Sequence, residues 1–180
     1  MRAMNRPFNR PLRAVCFSLA SICVGVGGLL PVAALAEDEE LWDLAAPGCW
    51  RSTVGPYTVH LHEKPEYRYV WAVGAERQRD DRWLYGVSYF SNSFGQDSGY
   101  VYFGRQYPDL FDETHLYFQW TAGVLYGYKG AFKNRVPLNH DGYSPGVVIS
   151  LGWQFDTNYA VQINKVGTSG FMLQLSYNWR

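Results

Sequence analysis

Two short segments of the chain carry side chains whose types suit acyl transfer. His60 and His62 stand two residues apart, and Asn92 precedes Ser93 in the run Tyr-Phe-Ser-Asn-Ser-Phe-Gly. A hydroxyl can act as a nucleophile, an imidazole as a base, and a carboxamide can orient the base or stabilise an oxyanion. Asn, Ser and Gly are also ordinary turn residues, and a strand histidine is commonly a buried, hydrogen-bonded neutral group. No third ligand stands at a useful spacing from the two histidines, so the sequence predicts neither a metal site nor a cofactor.

The elements that must position these residues are strands. Alternation of apolar and polar residues predicts eight of them. They are residues 56–62, 67–76, 83–92, 99–105, 115–126, 146–155, 159–166 and 170–179. An even number of strands fits an all-β, antiparallel up-and-down barrel, and with both ends in the periplasm the longest connection, 127–145, lies outside, as outer-membrane barrels prefer.

Periodicity alone leaves open which side of the barrel is apolar. A soluble barrel would turn the apolar stripe inward, whereas a transmembrane barrel turns it towards lipid. Aromatic residues make up 17% of the chain, and the aromatic stripe of the last strand runs to Trp179, which favours the membrane barrel. In that arrangement His60 and Thr58 face a narrow bore, and Ser93 lies at its outer rim. The side chains of His60 and Ser93 can then meet across the rim.

The residues before the strands have a different composition. Residues 1–36 contain four arginines and no acid, then an apolar run and Ala34-Leu35-Ala36, which is typical of a cleaved signal peptide and predicts the bacterial outer membrane. Residues 37–55 are predicted as a periplasmic leader with a short amphipathic helix over 39–46, and 56–180 as the barrel. Cys49 is then the one cysteine left, so no internal disulfide is expected. The acidic excess after residue 36 argues against a nucleic-acid partner.

The chain resembles a divergent member of the lipid A palmitoyltransferase (PagP) family of eight-stranded outer-membrane barrels. Thr58-Val59-His60 is similar to the family's Thr-Trp-His segment, residues 90–94 are similar to its Phe-Lys-Asp-Ser-Trp segment, and its Thr-Ala-Gly-Val run recurs at 121–124. The resemblance implies His60 as the catalytic histidine, with His62 as the alternative base, and Ser93 as the catalytic serine. Asn92 then stands where the family has its catalytic aspartate, and it is predicted to support catalysis by orienting the imidazole or donating to an oxyanion. An asparagine cannot stabilise a histidinium by charge, although Asp97 or Asp141 could supply charge from the loops.

Further residues acquire roles through the same resemblance. Gly104 would form the floor of an acyl pocket inside the bore, or else be a strand glycine without that role. The predicted first outer loop, residues 63–66, is shorter than in the family. Lys129, Lys133 and Arg135 of the third outer loop are predicted contacts for lipid head groups, or else belong to an ordinary solvated loop.

These observations predict an outer-membrane enzyme that moves a palmitoyl-like chain from a phospholipid to lipid A. A lipid A deacylase would use the same hydroxyl and imidazole with water as the acceptor. A non-catalytic structural or adhesive barrel is the third interpretation. The expected partners are lipid A, phospholipid and the outer-membrane assembly machinery, and a monomer is expected.

Overall fold

The chain folds as a closed antiparallel barrel in a computed structural model that describes residues 44–61, 65–167 and 170–179. Each strand pairs with its neighbours in sequence, and the last closes on the first. The strands are β1 (Gly48–His60), β2 (Ala72–Arg79), β3 (Trp83–Ser91), β4 (Asp97–Tyr107), β5 (Leu116–Tyr126), β6 (Tyr143–Gln154), β7 (Tyr159–Val166) and β8 (Gly170–Trp179). Two short 3-10 helices, Leu110–Asp112 and Gly130–Arg135, lie in connections. The eight-stranded fold class is confirmed.

The outer surface of the barrel is apolar and its interior is largely polar. On β6, Val147 and Ile149 are 63% and 50% exposed, whereas Ser150 is buried. On β8, Leu175 is exposed and the neighbouring Ser176 is buried. Because a soluble barrel would have the opposite arrangement, the chain has the sidedness of a transmembrane barrel, as predicted. No helix in the described part of the chain is long and apolar enough to cross a membrane.

The predicted start of the first strand was wrong. β1 begins at Gly48 rather than at residue 56, so residues 48–55, which were assigned to the leader, belong to the barrel. The pairing register between β1 and β8 shifts between Val54 and Tyr57, at an irregularity that contains Gly55 and Pro56. Such a bulge breaks the alternation and looks like a strand boundary in the sequence. Most of the predicted helix 39–46 lies outside the described residues, and its last residues, 44–46, form a turn and a bend.

The first outer connection is longer than predicted. β2 begins at Ala72, so the connection from β1 spans residues 61–71, of which 62–64 lie outside the described part. Tyr67, Tyr69 and Trp71 have the alternation of a strand, but the backbone N–H of Arg68 donates to the carbonyl of Ser93 at 2.8 Å. The backbone N–H of Ser91 also donates to the Trp71 carbonyl at 3.1 Å, so this segment runs beside the end of β3 and the connection after it, although β2 itself begins at Ala72.

A hydrogen-bonded network fills the bore near the end where β1 begins and β8 ends. The Arg51 guanidinium donates to Asn178 Oδ1 at 2.7 Å, to Glu76 Oε1 at 3.0 Å and to Gln78 Oε1 at 2.6 Å. The Tyr102 hydroxyl donates to the second oxygen of Glu76 at 3.0 Å. A buried ion pair is tolerated when its remaining donors and acceptors are satisfied in this way.

A small apolar layer lies between this network and the outer rim. Val70, Ala72 and Met172 are 7%, 8% and 7% exposed, and Phe90 packs against them. In the register of the sheet, Ala72 pairs with Gly55 and Met172 with Thr58, so the layer lies between Arg51 and His60 along β1.

Candidate functional site at the outer rim

His60 occupies the last position of β1, on the face that points into the bore. Val59 and Leu61 flank it and are 48% and 58% exposed on the lipid-facing side. The residue opposite His60 on β8 is Gly170, which has no side chain to fill the space. The predicted face of His60 is therefore observed. His62, the alternative base, lies outside the described residues.

Ser93 lies in the tight connection between β3 and β4. The backbone N–H of Asn92 donates to the Gln96 carbonyl at 3.0 Å, and that of Gly95 donates to the Asn92 carbonyl at 2.9 Å. Gly95 has φ +73°, a left-handed conformation that glycine adopts without strain. The turn holds Ser93 at the rim and exposes only part of its side chain.

The structure brings His60 and Ser93 together. The Nε2 of His60 lies 2.8 Å from the Oγ of Ser93, at hydrogen-bond distance. With the imidazole proton on Nδ1, the Ser93 hydroxyl donates to Nε2, which is the arrangement a base needs to activate a serine. The sequence predicted that these two side chains could meet across the rim, and in the structure they are in contact. The catalytic roles of the two residues stay a prediction.

Aromatic rings surround the pair. The Tyr67 ring packs on the His60 ring with 4.5 Å between centroids and 37° between planes. Phe94 lies edge-on to Tyr67 at 5.8 Å and stacks on Phe132 at 4.2 Å and 13°. Tyr128 meets Phe94 edge-on at 6.1 Å. We call Tyr67, Phe94, Tyr128 and Phe132 the rim cluster. Sequence reasoning did not single out Tyr67, Phe94 or Phe132 as site residues, because only the folded connections bring them together.

Asn92 is directed away from the imidazole. Its Oδ1 accepts the backbone N–H groups of Phe94 at 2.9 Å and Gln96 at 3.1 Å, and its Nδ2 donates to Gln96 Oε1 at 3.4 Å. Its side chain is almost fully buried. These bonds shape the turn that carries Ser93, so the described contacts of Asn92 act through the backbone and not on His60.

The carboxylates considered as substitutes also lie away from the imidazole in their described contacts. Asp97 begins β4 and is exposed. Asp141 is 3.6 Å from His140 in the third outer loop, and both side chains are largely in solvent. Within the described ranges, no group of three or more metal-ligating side chains is present.

Gly104 faces the bore in the middle of the β4 and β5 pair. An added Cβ there would lie 2.1 Å from the Trp120 carbonyl oxygen and 2.9 Å from Thr121 Cα. Close approach of the two backbones explains a glycine at this position without an acyl pocket. Nearby bore space is occupied by Leu84, which is 1% exposed.

The three predicted head-group residues have different surroundings. Lys129 places its Nζ 4.2 Å from the Tyr126 ring centroid, and its backbone N–H donates to Gln96 Oε1 at 3.2 Å. Arg135 pairs with Glu66 at 2.9 Å and lies over the Phe94 ring at 5.5 Å. Lys133 is exposed and lines, with Lys129, an outer-loop cavity of about 400 Å³.

Comparison with known proteins finds no matching family model and no matching curated protein. Among solved structures, the chain is similar to Ail, the attachment invasion locus protein of Yersinia pestis, in its complex with the heparin analogue sucrose octasulfate. The identity is 11%, the match covers 74% of this chain and 99% of that one, and the TM-score is 0.40. Ail in a phospholipid bilayer nanodisc matches at 12% identity over 73% of this chain and 99% of that one, with a TM-score of 0.40. Similarity at this level transfers no function to the chain.

A second cavity opens at the opposite end of the bore, where β1 begins and β8 ends. It has a volume of about 780 Å³ and is lined by polar groups that include Arg51, Gln106 and His115. Cys49, a free thiol, also lines it and is half-buried. His60 and Ser93 lie at the other end of the barrel from this cavity, among aromatic rings and the cations of the third outer loop. Chemically, that end combines a hydroxyl, a base and an apolar surface.

Proposed function

We propose that this barrel is an outer-membrane enzyme that moves a fatty acyl chain from a phospholipid to lipid A. The observation that carries the proposal is the 2.8 Å contact between His60 Nε2 and Ser93 Oγ. The barrel's apolar outer surface and the resemblance of the two segments around His60 and Ser93 to a lipid A palmitoyltransferase family agree with a lipid substrate. A signal peptide over residues 1–36, cleaved on export to the bacterial outer membrane, is part of the same proposal.

The reaction uses the two residues in sequence. Ser93 Oγ attacks the ester carbonyl of the donor lipid while its proton passes to His60 Nε2. Collapse of the tetrahedral intermediate breaks the ester bond, and His60 returns the proton to the departing lysophospholipid oxygen. A hydroxyl of lipid A then attacks the acyl-serine, again through His60, and Ser93 is regenerated. With water as the second nucleophile and lipid A as the ester, the same steps describe a deacylase.

A non-catalytic structural or adhesive barrel is the second candidate, and it also has a specific observation in its favour. The backbone N–H groups of Phe94 and Gly95, next to Ser93, already donate to Asn92. They are therefore not free to stabilise an oxyanion in this arrangement. Among the described residues, no carboxylate contacts His60, and the bore is filled by side chains instead of holding an acyl channel.

Lipid A mass spectrometry separates these functions. The gene is expressed in a strain that lacks lipid A palmitoylation, and lipid A masses are compared with those from an empty vector. The acyltransferase predicts a gain of one acyl group, the deacylase predicts a loss, and the non-catalytic barrel predicts no change.

Matched variants test whether a change in lipid A mass depends on the pair of His60 and Ser93. Ser93→Ala and His60→Gln should abolish the mass change. Ser91→Ala, two residues away on the lipid-facing side of β3, and His140→Gln, on an exposed loop, should retain it. Heat-modifiable gel migration verifies that each variant folds. A mass change that survives Ser93→Ala would show that this hydroxyl is not the nucleophile.

A further inference from the structure

We infer that the substrate's acyl chain binds on the rim cluster, outside the bore, and that Phe132 contributes to acyl-chain selection. This inference rests on the proposed function, because it names where the lipid chain lies while Ser93 reacts. It differs from the expectation that an acyl chain descends the bore towards Gly104.

The bore below the Ser93 and His60 pair is closed. Val70, Ala72 and Met172 fill the first layer beneath the pair, and all three are buried. Met172 packs so closely against β1 that a Cβ added at Gly55 would lie 2.6 Å from its sulfur. An acyl chain that entered here would have to displace close-packed side chains.

Further along the bore, the interior is even less suited to a hydrocarbon chain. The ion pair of Arg51 and Glu76 lies there with both side chains almost completely buried. A methylene chain in contact with it would remove hydrogen-bond partners from buried charges. Close-packed side chains therefore block the approach to Ser93 Oγ from the bore. The buried ion pair further along makes the same path unfavourable for a hydrocarbon chain.

The rim cluster offers an apolar approach to the same oxygen. Phe94 is the residue directly after Ser93, and its ring contacts Tyr67, Tyr128 and Phe132. All four rings are partly accessible instead of sealed in the core. Burial raises the pKa of the Tyr128 hydroxyl. Aromatic faces of this kind bind alkyl chains through their large apolar area.

The charges beside the cluster match the other end of a lipid. Arg135 lies over the Phe94 ring while it pairs with Glu66, and Lys129 and Lys133 line, with Asp141, the loop cavity of about 400 Å³. Phosphate groups are recognised by such cations. A lipid with its chain on the cluster can thus place a phosphate towards the third outer loop, with its ester near Ser93.

Two variants distinguish the cluster from the bore during turnover. The rate of acyl transfer is measured with phospholipid donors of long and short chains, and the ratio of the two kcat/KM values is compared. Phe132→Ala should lower this ratio by about tenfold, since it removes apolar contact with the longer chain. Met172→Ala, which opens space in the bore, should leave the ratio unchanged. Phe111→Ala, an 86% exposed phenylalanine in a periplasmic connection, controls for loss of a ring.

A binding measurement tests the inference without turnover. The protein is prepared in dodecylphosphocholine with labelled phenylalanine rings and methionine methyls, and contacts to the detergent chain are recorded by nuclear Overhauser effects. The rim cluster predicts contacts at Phe132 and Phe94 and none at the Met172 methyl. Contacts at Met172 without contacts at Phe132, or a chain-length ratio that responds to Met172→Ala alone, would overturn the inference. If chain contacts occur at Phe132 while lipid A never changes, the proposed function fails and the binding surface stands.

Discussion

Arg51 of β1 and Glu76 of β2 form an ion pair inside the bore, with 3.0 Å between Nη1 and Oε1 and side-chain exposures of 1% and 2%. The two residues face each other in the strand register. Asn178 of β8 and Tyr102 of β4 complete the hydrogen bonds of the pair. The ion pair therefore ties β1, where the barrel closes, to strands on both sides of it.

Removing one partner of this pair should destabilise the barrel strongly. Glu76→Ala leaves the Arg51 guanidinium buried without its counter-charge, and we expect a loss of about 3–5 kcal/mol in the free energy of unfolding. Urea titration of the barrel in phospholipid vesicles measures this value. The double variant with Arg51→Met and Glu76→Leu should recover much of the loss, because it removes both buried charges. A double variant as unstable as Glu76→Ala would show that the network is needed for packing and not for charge balance.

Much of the barrel could be predicted from the sequence because strand alternation repeats wherever one face meets lipid and the other meets the bore. β7 and β8 have the predicted bounds, since alternation continues along each without a bulge. β1 was misjudged because its first half carries Arg51 towards the bore and its middle contains Gly55 and Pro56. A charged residue is unexpected in a membrane strand until its partner, Glu76, is seen across the pair.

The site was predictable only in part. The side-chain face of His60 was predictable because His60 stands two residues after Thr58 in a strand. The rim position of Ser93 was predictable because Ser93 follows the end of β3. The orientation of Asn92 could not be predicted, because it depends on which backbone N–H groups the turn leaves open. The rim cluster depends on contacts between three separate connections, which local periodicity does not describe.

Gly104→Ala should destabilise the barrel without changing which acyl chain is used. The new Cβ would lie 2.1 Å from the Trp120 carbonyl oxygen, so β4 and β5 would have to separate. Gly99→Ala on the same strand is the matched control, since its nearest neighbour would be the Ser88 carbonyl oxygen at an ordinary 3.8 Å. Urea unfolding should show a loss of about 1–3 kcal/mol for the first and a smaller change for the second. A folded Gly104→Ala variant with an altered acyl-chain preference would instead support an acyl pocket in the bore.

The third outer loop should loosen when Gln96 loses its side-chain amide. Gln96 accepts the backbone N–H of Lys129 at 3.2 Å and donates to the Lys129 carbonyl at 3.3 Å. Gln96→Leu removes both bonds, and trypsin should cut after Lys129, Lys133 or Arg135 about fivefold faster in the reconstituted barrel. Gln96→Glu keeps the acceptor and should give an intermediate rate. Equal rates in all three proteins would show that the loop is held mainly by other contacts, such as the ion pair between Arg135 and Glu66.

Introducing a carboxylate at residue 92 should not accelerate the proposed reaction. In Asn92→Asp the carboxylate can accept the same backbone N–H groups, from Phe94 and Gln96, and so keeps the orientation that points away from His60. Acyl transfer, measured from lipid A masses over time, should stay within about twofold of the parent, because no new contact reaches the imidazole. Asn92→Ala leaves those N–H groups without their acceptor, so the turn should loosen and the rate should fall. Faster hydrogen exchange at the Phe94 and Gln96 amides would report the loosened turn directly. A tenfold gain in Asn92→Asp would mean instead that the carboxylate turns towards His60, and that residue 92 acts on the base itself.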